Sequence, residues 1–183
     1  TGIGFLWAKE QILNEIPPFL GGGEMIENVF EEKSTWADLP HKFEAGTPAI
    51  AEAIGLAEAL KYINNIGINN INKYEKNLTQ YLFEKLNKIT DLHIIGPNPN
   101  VDNNRASLAA FYVKGLHSND IAEILDSKGV CIRSGHHCCQ PLHRYLGIKS
   151  TARISMNFTT TTQEIDNFIE KLEETIDFLR FNS

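Results

Sequence analysis

Cysteine is scarce in this sequence: there are three in 183 residues, and two of them are neighbours at 138 and 139. An odd number with an adjacent pair does not make a disulfide framework and fits a reducing compartment, so a cytoplasmic location is expected. No uninterrupted apolar run approaches the roughly 20 residues that a membrane-spanning helix needs, which removes an integral helical membrane protein from consideration. Basic blocks are also missing. Seventeen Lys and Arg stand against 23 Asp and Glu, for a formal net charge of -6, and such a surface offers nucleic acid no electrostatic attraction. Internal repeats and low-complexity segments are absent too.

What is present suits one core, or one domain and part of another. Thr1 is followed directly by the apolar run Gly2 to Ala8, read as a strand. A chain that opens inside a strand is expected to be the C-terminal part of a longer polypeptide. Lys9 to Ile16 reads as a short amphipathic helix stopped by Pro17-Pro18, and Gly21-Gly22-Gly23 as a turn closed to other residues. Val29-Phe30 and Thr35-Trp36 are short extended candidates that suggest a hairpin.

Thr47-Pro48 has the chemistry of a helix start, with Thr as N-cap and Pro at the first helical position. Apolar residues then recur at helical spacing to Gly67. A second helix carries Ile71, Tyr74, Leu78, Tyr81-Leu82 and Leu86 on one face. Strands are expected over 92–95 and 106–113, on either side of a Pro/Asn-rich loop. Ser118 is read as the cap of a helix ended by Gly129 in the left-handed conformation. A strand over 130–133 then delivers the segment Gly135-His136-His137-Cys138. In 152–158, Ile154, Met156 and Phe158 alternate with Arg153, Ser155 and Asn157, which places Arg153 on the face away from the apolar side chains. Thr161-x-x-Glu164 is a capping box for the last helix. From about Gly67 the order is helix, strand, strand, helix, strand, strand, helix, which predicts helices on one face of a mainly antiparallel sheet.

Chemistry concentrates in Arg133-Ser134-Gly135-His136-His137-Cys138-Cys139-Gln140-Pro141. A thiol acts as a nucleophile through its thiolate, which neighbouring cations and donors favour, and Arg133, His136 and His137 are the available neighbours. Zinc is the rival: His136, His137, Cys138, Cys139 and His143 include enough ligands, although consecutive residues point in different directions and zinc ligands normally come as spaced pairs. Cys131 is expected to pack in the preceding strand. Arg153 is either a surface ion pair or a planar fork that holds a carboxylate, with Arg133 a second candidate for that role. Thr47, after Glu44-Ala45-Gly46, is either a plain helix cap or part of a phosphate site.

Arg133-Ser134-Gly135-His136-His137-Cys138 resembles the active-site signature of group II cysteine desulfurases, class V aminotransferase-family enzymes that depend on pyridoxal phosphate. Thr1-Gly2-Ile3-Gly4 resembles the segment after that family's cofactor lysine, and Pro17-Pro18 with Gly21 to Ile26 its glycine-rich turn. Phe43 to Pro48 is similar to its phosphate-contacting helix start, and Ala152-Arg153-Ile154-Ser155 to its carboxylate-binding strand. The resemblance implies an α/β chain, the C-terminal part of a fold type I pyridoxal-phosphate enzyme. Residues 1–66 would end the large cofactor domain, and 67–183 would form an α+β small domain carrying the catalytic Cys loop.

The resemblance further implies a homodimer in which Gly46 and Thr47 bind the cofactor, with Thr47 reaching the phosphate of the partner subunit. Arg153, with Arg133, would bind the substrate L-cysteine, and Cys138 would take its sulfur as a persulfide. L-alanine is the other product, and a sulfur-acceptor protein of iron-sulfur cluster assembly the partner. His136 and His137 would shape the loop or tune the thiol. The cofactor lysine is not where the family needs it, so this chain alone is expected to be inactive, and Cys139 stands where the family usually has a small residue. Alternatives are a selenocysteine lyase or aminotransferase of the same fold, or a non-catalytic metal-binding or interaction module.

Overall fold

A computed structural model of the chain describes residues 2–101 and 105–182. Thr1, Ser183 and Asp102 to Asn104 of the Pro/Asn-rich loop lie outside the described residues. The chain divides into two compact units, Thr1–Ile66 and Gly67–Ser183.

In the first unit, residues 2–9 form no strand, because a strand needs a partner ladder and none of the described residues of the unit supplies one. Helix α1 (Glu10–Glu15) follows, and Pro17 lies just beyond its C-cap Ile16. The left-handed turn residue after the glycines is Glu24 (φ 70), not a glycine. None of the three glycines takes a positive φ, and a Cβ at Gly22 would make an ordinary contact, 3.4 Å from that of Ala45, so this turn is not closed to other residues as expected. Strands β1 (Ile26–Val29) and β2 (Ser34–Trp36) pair as the expected antiparallel hairpin. A 3-10 turn over His41–Phe43 buries Lys42, whose ammonium donates to the Leu13 and Asn14 carbonyls at 3.0 and 3.1 Å.

Helix α2 (Ile50–Ile66) begins later than Thr47-Pro48 implies. The Ala49 carbonyl accepts its first i to i+4 bond, from Ala53 N–H, so Thr47 lies ahead of the helix and does not cap it. Proline favours extended geometry in the residue before it, which holds Thr47 out of the helical turn.

The second unit has one core. Helix α3 (Ile68–Leu86) leads to an antiparallel sheet of β3 (Leu92–Ile95), β4 (Leu108–Val113), β5 (Arg133–Gly135) and β6 (Thr151–Ser155), in the order β3-β4-β6-β5. Helix α4 (Ser118–Ser127) joins β4 to β5, α5 (Gln140–Leu146) joins β5 to β6, and α6 (Thr162–Phe181) closes the chain. Along β4 every second residue is buried, Ala109, Phe111 and Val113. These meet Leu78, Leu82 and Leu86 of α3, Ile121 and Leu125 of α4, and Ile165, Phe168, Leu172 and Ile176 of α6. The helices thus cover one sheet face, as the alternation and helical stripes predict. Phe111 and Phe168 touch as a tilted pair with centroids 6.5 Å apart.

Gly129 (φ 77) ends α4 as expected, with Val130 N–H returning to the Leu125 carbonyl. The cap at the other end is His117, whose Nδ1 accepts from Asn119 N–H, while Ser118 is already helical and donates to Ser150 Oγ. A histidine nitrogen placed one residue ahead of serine simply reaches the free N–H first. The strand expected over 130–133 begins only at Arg133, because its one neighbour, β6, starts pairing there. Cys131 therefore lies outside the strand and is exposed. The strand expected over 152–158 ends at Ser155. Helix α5 is absent from the sequence expectation: at seven residues it is too short for a stripe, although Pro141 in its first turn and left-handed Gly147 at its end mark it.

The capping box is fully formed: Thr161 Oγ1 accepts from Glu164 N–H and Glu164 accepts from Thr161 N–H. Truncating Phe168 to alanine is expected to cost about 3–5 kcal/mol through a cavity in this core, whereas Thr161→Ala removes only a cap, worth about 1 kcal/mol; urea titrations of the two variants measure both.

Helix α2 has no buried residue, and Ile50, Ile54, Leu60 and Tyr62 are all exposed along it. Exposed apolar surface of this extent favours association. The chain is expected to form oligomers or larger species in light scattering, and Ile54→Glu with Leu60→Lys is expected to shift it toward monomer.

Candidate functional site

The thiol loop hangs between β5 and α5. Left-handed Gly135 (φ 108) turns the chain out of β5, and the next turn places both His137 (φ 52) and Cys138 (φ 60) at positive φ. Cys139 N–H closes it onto the His136 carbonyl at 2.9 Å. Positive φ at both central residues is the pattern of a type I′ turn, which normally takes Asn and Gly. Side chains with a full Cβ hold this shape at a cost of about 1–3 kcal/mol each.

The turn presents Cys138 to solvent, with the Arg133 guanidinium donating to its Sγ at 3.3 Å. Arg133 itself is fixed by sheet register, because β5 pairs with β6 so that Arg133 lies directly opposite Arg153, on the face away from Ala152 and the core. Arg153 is half-buried, and its Nε is fully buried without a hydrogen-bond partner among the described residues. Arg133, Ser134, His136, His137, Cys138, Gln140 and Pro141 line a shallow open depression of about 510 Å³.

His137 is half-buried, and neither ring nitrogen makes a well-formed hydrogen bond. Burial, then the charges of Arg153, Arg133 and His143, push its pKa below the ordinary imidazole value, with the Thr151 backbone opposing weakly. It is held neutral. His136 is exposed, edge-on to His143 with centroids 5.4 Å apart. His143 is buried, with Nδ1 3.1 Å from the Cys139 carbonyl and Nε2 3.1 Å from Thr151 Oγ1. Sequence reasoning met His143 only as a zinc ligand and missed Thr151. The signal was position: α5 brings residue 143 back over 139.

The three thiols differ. Cys131 donates to Asp126 Oδ1 at 3.2 Å, and that hydrogen bond, then the carboxylate charge, then burial, push its pKa up. Cys139 is half-buried. Among the described residues no group of three or more His, Cys, Asp and Glu is arranged to hold a metal.

Gly46 (φ 82) and Thr47 belong to the first unit. Gly46 N–H is spent on the Gly23 carbonyl at 2.9 Å, a Cβ at Gly46 would meet nothing within 4 Å, and Thr47 is exposed ahead of α2.

The sequence profile of the aminotransferase class-V family matches residues 1–168. The chain belongs to that family. Among similar class-V relatives, a Synechocystis sp. protein named "Probable cysteine desulfurase" is 53% identical over 178 residues, covering 97% of this chain and 42% of the relative. A Staphylococcus epidermidis protein of the same name is 45% identical, covering 99% and 43%. The chain thus spans less than half the length of these relatives. Of solved structures, cysteine desulfurase CsdA from Escherichia coli superposes with TM-score 0.84 at 29% identity, covering 94% of this chain and 42% of that one. The apo cysteine desulfurase of Thermococcus onnurineus NA1 does so with TM-score 0.84 at 35% identity, covering 93% and 42%. The fold is that of fold type I enzymes.

Because His137 has a folded-state pKa below its unfolded value of about 6.5, the unfolded chain takes up the proton first as pH falls. Stability is therefore expected to drop as pH falls through about 6.5 and to level off below the folded-state pKa. His137→Asn should flatten that acid limb, read as the difference in urea midpoints between pH 7.5 and 5.5.

Proposed function

We propose that this chain carries the sulfur-accepting and carboxylate-binding part of a cysteine desulfurase, acting on L-cysteine with L-alanine as the second product. The observation that carries the reading is the pairing of Arg133 with Arg153 across β5 and β6, with Cys138 hydrogen-bonded to the first and a buried unpartnered Nε on the second. Two like charges directly opposite in a sheet repel. An anion that both face removes the repulsion, and an α-carboxylate matches the planar fork of a guanidinium.

The residues present fit pyridoxal phosphate in part. Thr47 offers an exposed hydroxyl beside open space at Gly46, and the N–H groups at the start of α2 favour a phosphate. The Gly46 N–H is already engaged, so Gly46 contributes room and backbone shape, not a donor. Lys42 does not fit the cofactor-lysine role, since its ammonium is bound to two carbonyls in a buried turn. When bound, the cofactor would supply the electron sink that weakens the substrate's bonds.

The chain's own residues would do the rest. Arg153, with Arg133 beside it, orients the substrate carboxylate. The Cys138 thiolate forms a bond to the substrate sulfur as the carbon–sulfur bond breaks, and is left as a persulfide. Neutral His137 keeps a lone pair available beside the guanidinium pair without adding a third positive charge. An exposed Cys138 suits handing sulfur to an acceptor protein, here that of iron-sulfur cluster assembly. Residues 1–66 would end a large cofactor domain and 67–183 would be the small domain, in a homodimer located in the cytoplasm. Sister enzymes share the carboxylate clamp, and turnover of L-selenocysteine or a keto acid separates them from a desulfurase.

In the polypeptide that includes the upstream segment, supplied with pyridoxal phosphate, Cys138→Ala is expected to lower alanine and persulfide formation from L-cysteine roughly a thousandfold or more. Arg153→Lys, which loses the bidentate fork, is expected to raise KM roughly 10-fold to 100-fold. Activity that survives Cys138→Ala would overturn the role of Cys138.

A further inference from the structure

We propose that His143 is a positioning residue, tying the thiol loop to the strand that carries Arg153. A carbonyl can only accept, so Nδ1 is the donor in its 3.1 Å contact with the Cys139 carbonyl. In the tautomer with its one proton there, Nε2 accepts from Thr151 Oγ1 at 3.1 Å. Both ends are sheltered, with His143 and Thr151 buried. Thr151 lies in β6 two residues before Arg153, and Cys139 follows Cys138 at the start of α5. One imidazole thereby fixes the distance between the thiol and the guanidinium that would face the substrate.

The His143 ring also touches those of His136 and His137, at 5.4 and 6.1 Å between centroids, and so packs against the left-handed turn. The Cys139 carbonyl already accepts the His143 backbone N–H at 3.3 Å as the first helical bond of α5. Losing Nδ1 leaves no orphaned carbonyl, so the consequence is positional. This inference rests on the reading of Cys138 as the nucleophile.

The test uses the polypeptide with its upstream segment. Alkylation of Cys138 by iodoacetamide is followed by peptide mass spectrometry, with Cys131 as an internal control, and kcat and KM for L-cysteine are measured alongside. His143→Leu and Thr151→Val are each expected to change the Cys138 alkylation rate and lower kcat roughly tenfold or more, with KM and Cys131 labelling unchanged. Thr151→Ser, which keeps the hydroxyl, is expected to restore both. The double variant should be no worse than either single, because breaking a tie at one end already releases it.

Unchanged Cys138 labelling in Thr151→Val, or additive effects in the double variant, would overturn the tie. If His143→Leu unfolds, Cys131 labelling rises with it, and the Thr151 pair still decides. Labelling that follows this pattern without any alanine formed would leave the tie standing and remove the desulfurase reading.

Discussion

Strand β5 is three residues long and, among the described residues, bonds to a single neighbour, β6, and on that short ladder depends everything the site can do. Register in a sheet is all or nothing for side-chain direction: a slip of one residue would send Arg133 and Gly135 to the core face and Ser134 to the outer one. Ala152 holds the register from the other side, because a fully buried residue opposite Ser134 leaves no room for an arginine. The two guanidiniums therefore share a face because the core fills the other. Their mutual repulsion is a local cost accepted where the hydrophobic core dictates pairing, and an anion facing both would relieve it.

The same strand also sets where the thiol can go. Gly135 ends the ladder at positive φ, and the two left-handed residues that follow fold the chain back tightly enough for Cys138 to meet the arginine five positions earlier. Sequence preference alone would not choose His and Cys for such a turn. The stored strain is held in place by α5, whose first turn is anchored at Cys139 and whose end is closed by Gly147. A loop that must be strained and still single-valued needs anchors on both sides, and here one anchor is a helix only seven residues long.

Much of the small unit was legible because its signals are periodic. The stripe on α3 and the capping box at Thr161 appear where the sequence puts them, and the alternation read over 152–158 carries a strand as far as Ser155. The misses are of another kind. Helix α5 is shorter than two periods of its own pattern, and the start of β5 is decided by where β6 begins, a partner far along the chain. Residues 2–8 look like a strand by composition, yet composition cannot supply the neighbouring ladder a strand needs. Of the site, the residue types were readable from one run of nine, but the facing of Arg133 and Arg153 and the place of His143 required three-dimensional register.

Selection among the three thiols follows from which partner reaches each one first. Cys131 meets a carboxylate, whose hydrogen bond and charge both favour the protonated thiol and so withhold the nucleophile. Cys139 is drawn half under the surface by the helix it begins, its backbone engaged at both the amide and the carbonyl. Only Cys138 is both exposed and in contact with a cation. The three residues are identical in chemistry and lie within nine positions of one another, so the difference is one of geometry: Cys138, at φ 60, meets Arg133 in the open, whereas Cys139, at φ -139, begins a helix and is half-buried.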